Sequence, residues 1–205
     1  MFLERGFAGS TMRLIAQRAG VSLPTVELQF GTKARLLKAT IDVAIAGDDE
    51  PVAVLDRSWT EAAARAHTVP AFLAVVAGVL GPAQQRSAGL VLAVFEAAST
   101  DAELADLAQQ LTAQRATTAG WIVDEVRHRE PLRAGATRAE AIDSVWVLMD
   151  AAVFDRLIRL RGWTLRRYQH WFASSVARLL VADATRSPEP SPHPHKGQPS
   201  RRHVT

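Results

Sequence analysis

Two short helical patterns, residues 12–18 and 23–30, meet at Ala19-Gly20-Val21-Ser22, and no other feature of the chain narrows its fold so far. Gly20 can take the left-handed conformation that ends one helix, and Ser22 offers its hydroxyl to an amide in the first turn of the next. Pro24 falls within that turn, where a missing N–H costs nothing. Ser10 or Thr11 caps the first helix, with Ile15 and Ala16 turned inward, and Val21 is expected to plug the core between the helices. Val26 and Phe30, four residues apart, bury one face of the second helix and leave Leu23, Thr25, Leu28 and Gln29 outside. Thr32 then caps a third helix with Lys33 at its first position. Helix, glycine turn and short capped helix make a helix-turn-helix pattern, in which the second helix enters the major groove of DNA.

The exposed face suits that task. Thr25 and Gln29 can hydrogen-bond base edges or phosphates, and Leu23 or Leu28 can touch a thymine methyl. Lys33 adds a charge at a helix N-terminus, which already favours phosphate. Thr11, Ser22 and Pro24, at the starts of the two helices, belong to the same expected contact surface. Charge is distributed to match. The net +3 is small, but residues 1–40 hold six basic side chains (Arg5, Arg13, Arg18, Lys33, Arg35, Lys38) against Glu4 and Glu27. A basic head on a near-neutral body fits a module that touches a polyanion.

Beyond the head the apolar spacing is helical throughout, with no sustained alternation, so the fold class expected is all-α. Gly47-Asp48-Asp49-Glu50-Pro51 closes the head, and further breaks are expected at Pro70, Gly81-Pro82 and Pro131 to Gly135. Long helices are expected over 101–129, over 138–161 behind the capping box Thr137-Arg138-Ala139-Glu140, and over 164–182. Ser187 to Pro199, with five prolines, reads as disordered. The expected organisation is a helix-turn-helix domain at 1–47, a helical ligand-binding and dimerisation domain at 52–182, and a disordered tail at 183–205.

These residues resemble a known family. The run Glu4-Arg5-Gly6-Phe7, then Ser10-Thr11-Met12, Ile15-Ala16, Ala19-Gly20-Val21-Ser22, Thr25, Phe30, Lys33 and Leu36-Leu37 is similar to the DNA-binding region of TetR-family transcriptional regulators. The likeness is specific over residues 3–47; beyond them it rests on length and helix order alone. It implies a homodimer whose last two helices pair with those of a partner, a small-molecule effector bound in the C-terminal domain, and release of a palindromic double-stranded DNA operator when that effector arrives. Two departures stand out. Glu27 and Leu28 occupy places where the family has an aromatic followed by a basic or histidine residue; Glu27 would accept from a cytosine amino group or pair with a nearby arginine. The family's full first helix is also represented by only the few residues before Gly6, so this helix is expected to be incomplete.

Other chemistry finds little support. Without cysteine there are no disulfides, thiolate nucleophiles or cysteine-ligated metals. No run of 18 apolar residues suggests a membrane span, and Met1 to Arg5 lacks the order of a secretory signal, so a cytoplasmic protein is expected. Glu125-Val126-Arg127-His128 matches one Glu-x-x-His unit of di-iron bundles, which need two, and reads as a solvated helix end. Asp48-Asp49-Glu50 reads as a solvated loop, and His193 and His195 as part of the disordered tail; no metal or cofactor is expected. No serine elbow, phosphate loop or dinucleotide fingerprint argues for catalysis. Tryptophans are more often packing anchors than ligand contacts. Trp121 and Trp146, with Phe72, Phe95 and Met149, are nonetheless the expected effector-pocket residues, a choice drawn from the family's architecture. The function expected is a sequence-specific DNA-binding regulator, a ligand-released repressor acting as a homodimer. The alternative is an all-α ligand-binding or interaction protein whose shortened head no longer holds DNA.

Overall fold

The computed structural model describes residues 1–50 and 52–182; the proline-rich tail, with His193 and His195, lies outside the described residues. The molecule is all-α. Each head helix begins and ends as its residues dictate. One turn, α1 (Phe2–Arg5), precedes α2 (Met12–Ala19), whose first-turn amide of Leu14 donates to Thr11 Oγ1 at 3.2 Å. Gly20 takes φ +70 and ends α2; the Ser22 hydroxyl then accepts from Thr25 N and starts α3 (Leu23–Phe30). Thr32 caps α4 (Lys33–Ala46), which Gly47 closes at φ +95. A β-carbon at Gly20 or Gly47 would strain that backbone, which is why glycine stands at both stops.

Behind the head, a 3-10 turn (Val54–Asp56) and α5 (Trp59–Arg65) lead to two long helices, α6 (Val69–Ala97) and α7 (Ala102–Arg129). At 29 residues α6 spans about 43 Å and touches α1, α4, α5, α7, α9 and α10, so it is the mast of the fold. Then come α8 (Arg138–Leu148), α9 (Ala151–Asp155), a π turn (Arg156–Leu160) and α10 (Leu165–Leu180). A single extended pairing among the described residues, Leu132 with Val181, ties the loop after α7 to the end of α10.

One expected break is absent and one unexpected break is present. The break expected at Pro70 falls between α5 and α6, with Pro70 in the first turn of α6 behind the cap Thr68. Gly81-Pro82 lies inside α6 without ending it. The carbonyl that Pro82 leaves without a donor belongs to Gly78, which is exposed to water. Gly81 is buried against α10, where a β-carbon would come within 2.8 Å of Gln169 and 3.1 Å of Leu165. The expected helix over 138–161, by contrast, stops at Met149, and Asp150 restarts it by accepting from Ala152 N at 2.7 Å. The expected capping box is formed: Glu140 N donates to Thr137 Oγ1 at 3.2 Å while Thr137 N donates to the Glu140 carboxylate at 2.9 Å. These bonds from Thr137 hold the Glu140 carboxyl below its usual range. Thr137→Ala is expected to cost about 1 kcal/mol, read from the denaturant midpoint at unchanged slope.

Packing forms three apolar cores. One unites α5, α6, α7, α8 and α10 around Phe72, Ile122, Val123, Val145, Phe172 and Val176. A second joins Phe2, Ala16, Val26, Leu37 and Ile41 of the head to Leu90 and Val94 of α6 and to Leu104, Leu107 and Leu111 of α7. The third centres on Tyr168, fully buried with its ring edge-on to Phe154 at 4.8 Å; burial raises its hydroxyl pKa well above the usual value.

Candidate nucleic-acid interface

On α3 only Val26 is buried, with Leu23 and Phe30 half-buried beside it against the head core. Pro24, Thr25, Glu27, Leu28 and Gln29 are exposed, Leu28 at 90%. A leucine this open on an eight-residue helix has no partner in its own fold. Val26 fixes the helix and the remaining face is displayed. Three of the expected contacts are partly engaged at home: the hydroxyls of Ser22 and Thr25 lie 2.7 Å apart and share a hydrogen bond, and Thr11 caps α2. Leu23 leans inward, so Leu28 is the better placed of the two for a thymine methyl.

Three residues stand differently from expectation. Val21 is 44% exposed and does not plug the core; Ala16 and Val26 are buried in the head core without it. Lys33 is half-buried, its Nζ donating to Phe7 O at 2.8 Å and lying 3.9 Å from the Phe7 ring centre. The carbonyl and ring draw the ammonium inward, so its first task is to tie α4 to the segment after α1. Glu27 has no ion-pair partner among the described residues, so the pairing with an arginine is not formed and the carboxylate faces solvent.

The basic head divides by partner. Arg18 holds Glu4 through bonds of 2.7 and 3.1 Å, which lower the Glu4 carboxyl below its ordinary range, and Lys38 holds Asp42 at 2.6 Å. Arg5, Arg13 and Arg35 are exposed without a carboxylate partner among the described residues. Arg35, in the first turn of α4, lies beside Gly31 at the end of α3. Sequence reasoning counted Arg13 and Arg35 toward the charge and gave them no contact; the signal available was the position of Arg35 three residues after the cap Thr32.

Helix α4 is tied to the body at both ends. The Thr32 hydroxyl donates to Glu103 at 2.6 Å, while Arg86 donates to the carbonyls of Ala44 at 2.8 Å and Ile45 at 3.2 Å. Between those ties, α4, α6 and α7 enclose a cleft of about 750 Å³. Of the expected pocket residues, Phe95 and Met149 line it, whereas Phe72, Trp121 and Trp146 do not. Trp121 packs edge-on to Trp59 at 5.3 Å and near Phe72 at 5.6 Å, so these rings satisfy one another in the body core. Trp146 lies beneath the guanidinium of Arg115, 3.8 Å from its ring centre. At the mouth, Asp48 accepts both terminal nitrogens of Arg57, at 2.6 and 2.8 Å, and its carboxyl is held low by Arg57 and by the Glu50 amide.

At the other end of α7, the Glu125 carboxylate accepts from Arg129 at 2.8 Å and lies 3.7 Å from His128. No helix among the described residues is long and apolar enough to cross a membrane.

Comparison with known proteins bears on both halves. Residues 1–40 match the family of bacterial regulatory proteins, tetR family. No curated protein matches the chain in sequence. Among solved structures, a transcriptional regulator from Rhodococcus sp. Rha1 is similar in fold, with a TM-score of 0.58 at 17% identity over 87% of this chain and 89% of that one.

Proposed function

We propose that the chain is a DNA-binding transcriptional regulator, a repressor acting as a homodimer and released by a small molecule; the match of residues 1–40 to the tetR family of bacterial regulatory proteins supports this reading. The observation that carries this reading is the outward face of α3, where Thr25, Glu27, Leu28 and Gln29 are exposed while Val26 anchors the helix. In this proposal Gln29 and Thr25 read base edges, Leu28 meets a thymine methyl, Glu27 accepts from a cytosine amino group, and Arg13 and Arg35 hold phosphates. Thr11, Ser22, Leu23, Pro24 and Lys33 set the height and tilt of the helix. Residues 1–47 contact DNA and 52–182 receive the effector and the partner.

Exposed apolar side chains on the body support the dimer: Val147 on α8, Leu160 on the π turn and Leu179 on α10. A twofold axis there sets the two α3 helices roughly 34–36 Å apart, or a further helical turn, and calls for a palindromic operator. The effector role of the cleft rests on its walls, since α4 supplies one of them and carries α3 at its near end. A molecule lodged there favours whichever α4 position it fits best, and DNA affinity changes by that difference.

The test is a titration against DNA from upstream of the protein's own gene at several salt concentrations. Binding is expected to prefer one sequence and to weaken steeply with salt. Gln29→Ala is expected to lose about 1–3 kcal/mol on the preferred site and little elsewhere. Arg35→Ala should weaken all sequences alike and reduce the salt slope by about 0.9. Equal binding to all sequences, unmoved by Gln29→Ala, would refute readout by α3.

A further inference from the structure

We infer that the cleft takes an uncharged, largely apolar molecule bearing one strong hydrogen-bond acceptor, a carbonyl foremost, and that Arg115 selects it. The inference deepens the effector reading above and rests on it.

Size and lining come first. A volume of about 750 Å³ lies within the range of small-molecule sites, and Val76, Val79, Leu80, Val91, Ile122 and Met149 make its walls apolar. The polar groups among them are mostly committed. Gln84, buried, donates Nε2 to Met149 O at 2.5 Å, and Ser87, buried, donates to Ala83 O at 2.8 Å. Arg115 is different. Its Nη1 is paired with Asp150, and its plane lies on Trp146, yet Nε is buried with no hydrogen-bond partner and Nη2 has none among the described residues. A guanidinium is never deprotonated and acts only as a donor, so spare N–H groups beside an apolar cleft call for an acceptor.

Charge decides which acceptor. Asp150 already neutralises Arg115, and the other Asp150 oxygen is held by Ala152 N. The mouth carries Asp42, Asp48, Asp49 and Glu50, with Asp42 paired to Lys38 and Asp48 to Arg57. A carboxylate ligand would give up its hydration for a cation already neutralised by Asp150. An organic cation finds Asp42 and Asp48 taken by Lys38 and Arg57, while Asp49 and Glu50 are exposed to screening salt. A neutral carbonyl meets neither obstacle.

The experiment uses the full chain and three probes of nearly one shape: benzophenone with its carbonyl, diphenylmethane without it, and 4-benzoylbenzoate with an added negative charge. Each competes with Nile red for the apolar cleft. Benzophenone is expected to displace the dye at least about tenfold more tightly than diphenylmethane, the worth of one hydrogen bond to a charged donor. It should also outcompete 4-benzoylbenzoate. Arg115→Met is expected to bring the two neutral probes to near equality, and Arg115→Lys to restore part of the gap. Val79→Trp, which fills the cleft, is expected to abolish dye uptake. Equal binding of ketone and hydrocarbon to the unmodified chain overturns the inference without recourse to any variant, as does tighter binding of the anion or dye uptake unchanged by Val79→Trp. DNA release is read in a separate titration. A ketone that binds selectively yet leaves DNA bound refutes the effector reading alone; release by ketone and hydrocarbon alike refutes the ligand class alone.

Discussion

Arg129→Met is expected to destabilise the protein by about 3–5 kcal/mol, more than the loss of most single ion pairs, because Arg129 serves four acceptors from one buried position. Its side chain is only 9% exposed. Nε donates to Ala66 O at 2.8 Å, Nη2 to Ala63 O at 2.9 Å, and Nη1 to both the backbone oxygen and the carboxylate of Glu125, at 2.6 and 2.8 Å. The guanidinium also lies 4.4 Å from the Phe72 ring centre. Ala63 and Ala66 stand at the end of α5, where Ala63 O also accepts the Ala66 amide at 3.2 Å, and the guanidinium from α7 completes the cap. Methionine keeps much of the stem's packing and removes every donor. Denaturant unfolding followed by tryptophan fluorescence measures the loss, and a change below about 1 kcal/mol would show that water replaces the guanidinium at no cost. Arg129→Lys, with its point charge, should recover only part of the difference.

The second large effect falls on Leu37. It is fully buried on α4, in the core that joins α2 and α3 to α6 and α7. Leu37→Ala is expected to cost about 2–5 kcal/mol, the range for a buried leucine whose surroundings cannot collapse into the space. The informative point is where the loss is seen. All five tryptophans lie at position 59 or beyond, so their fluorescence reports the body and not the head. A head substitution that lowers the tryptophan-detected midpoint shows that both parts unfold together. An unmoved midpoint, with DNA binding lost, would mean that the head melts alone.

Much of the head was legible because caps and glycine stops are local chemistry. Thr11, Ser22 and Thr32 each accept from an amide in the following turn, as Thr137 does in the body, and Gly20 and Gly47 take the left-handed stop. What escaped depended on distant partners. Pro82 passes as a helix residue because Gly78 is solvated and Gly81 admits α10, and neither fact is visible in the local pattern. The stop at Met149 depends on Asp150, whose carboxylate caps α9 and pairs with Arg115 from α7. In the head, Lys33 reads as a phosphate contact until Phe7, distant in sequence, is seen to hold it. The cleft shows the same division. Phe95 and Met149 fell among the expected residues, whereas Arg115 sits in the polar run Gln114 to Thr118 and resembles any solvated helix face until Trp146 and Asp150 are found against it.

The core around Leu37 and Val94 sets a rule for building hybrids of this protein. A swap cut at residue 47 transplants the reading helix with half of its own foundation, because the other half remains on α6 and α7. A graft that keeps its shape must carry Leu90, Val94, Leu104 and Leu107 along, or redesign them to fit the newcomer, so the exchangeable part is set by interlocked side chains and not by the order of residues along the backbone.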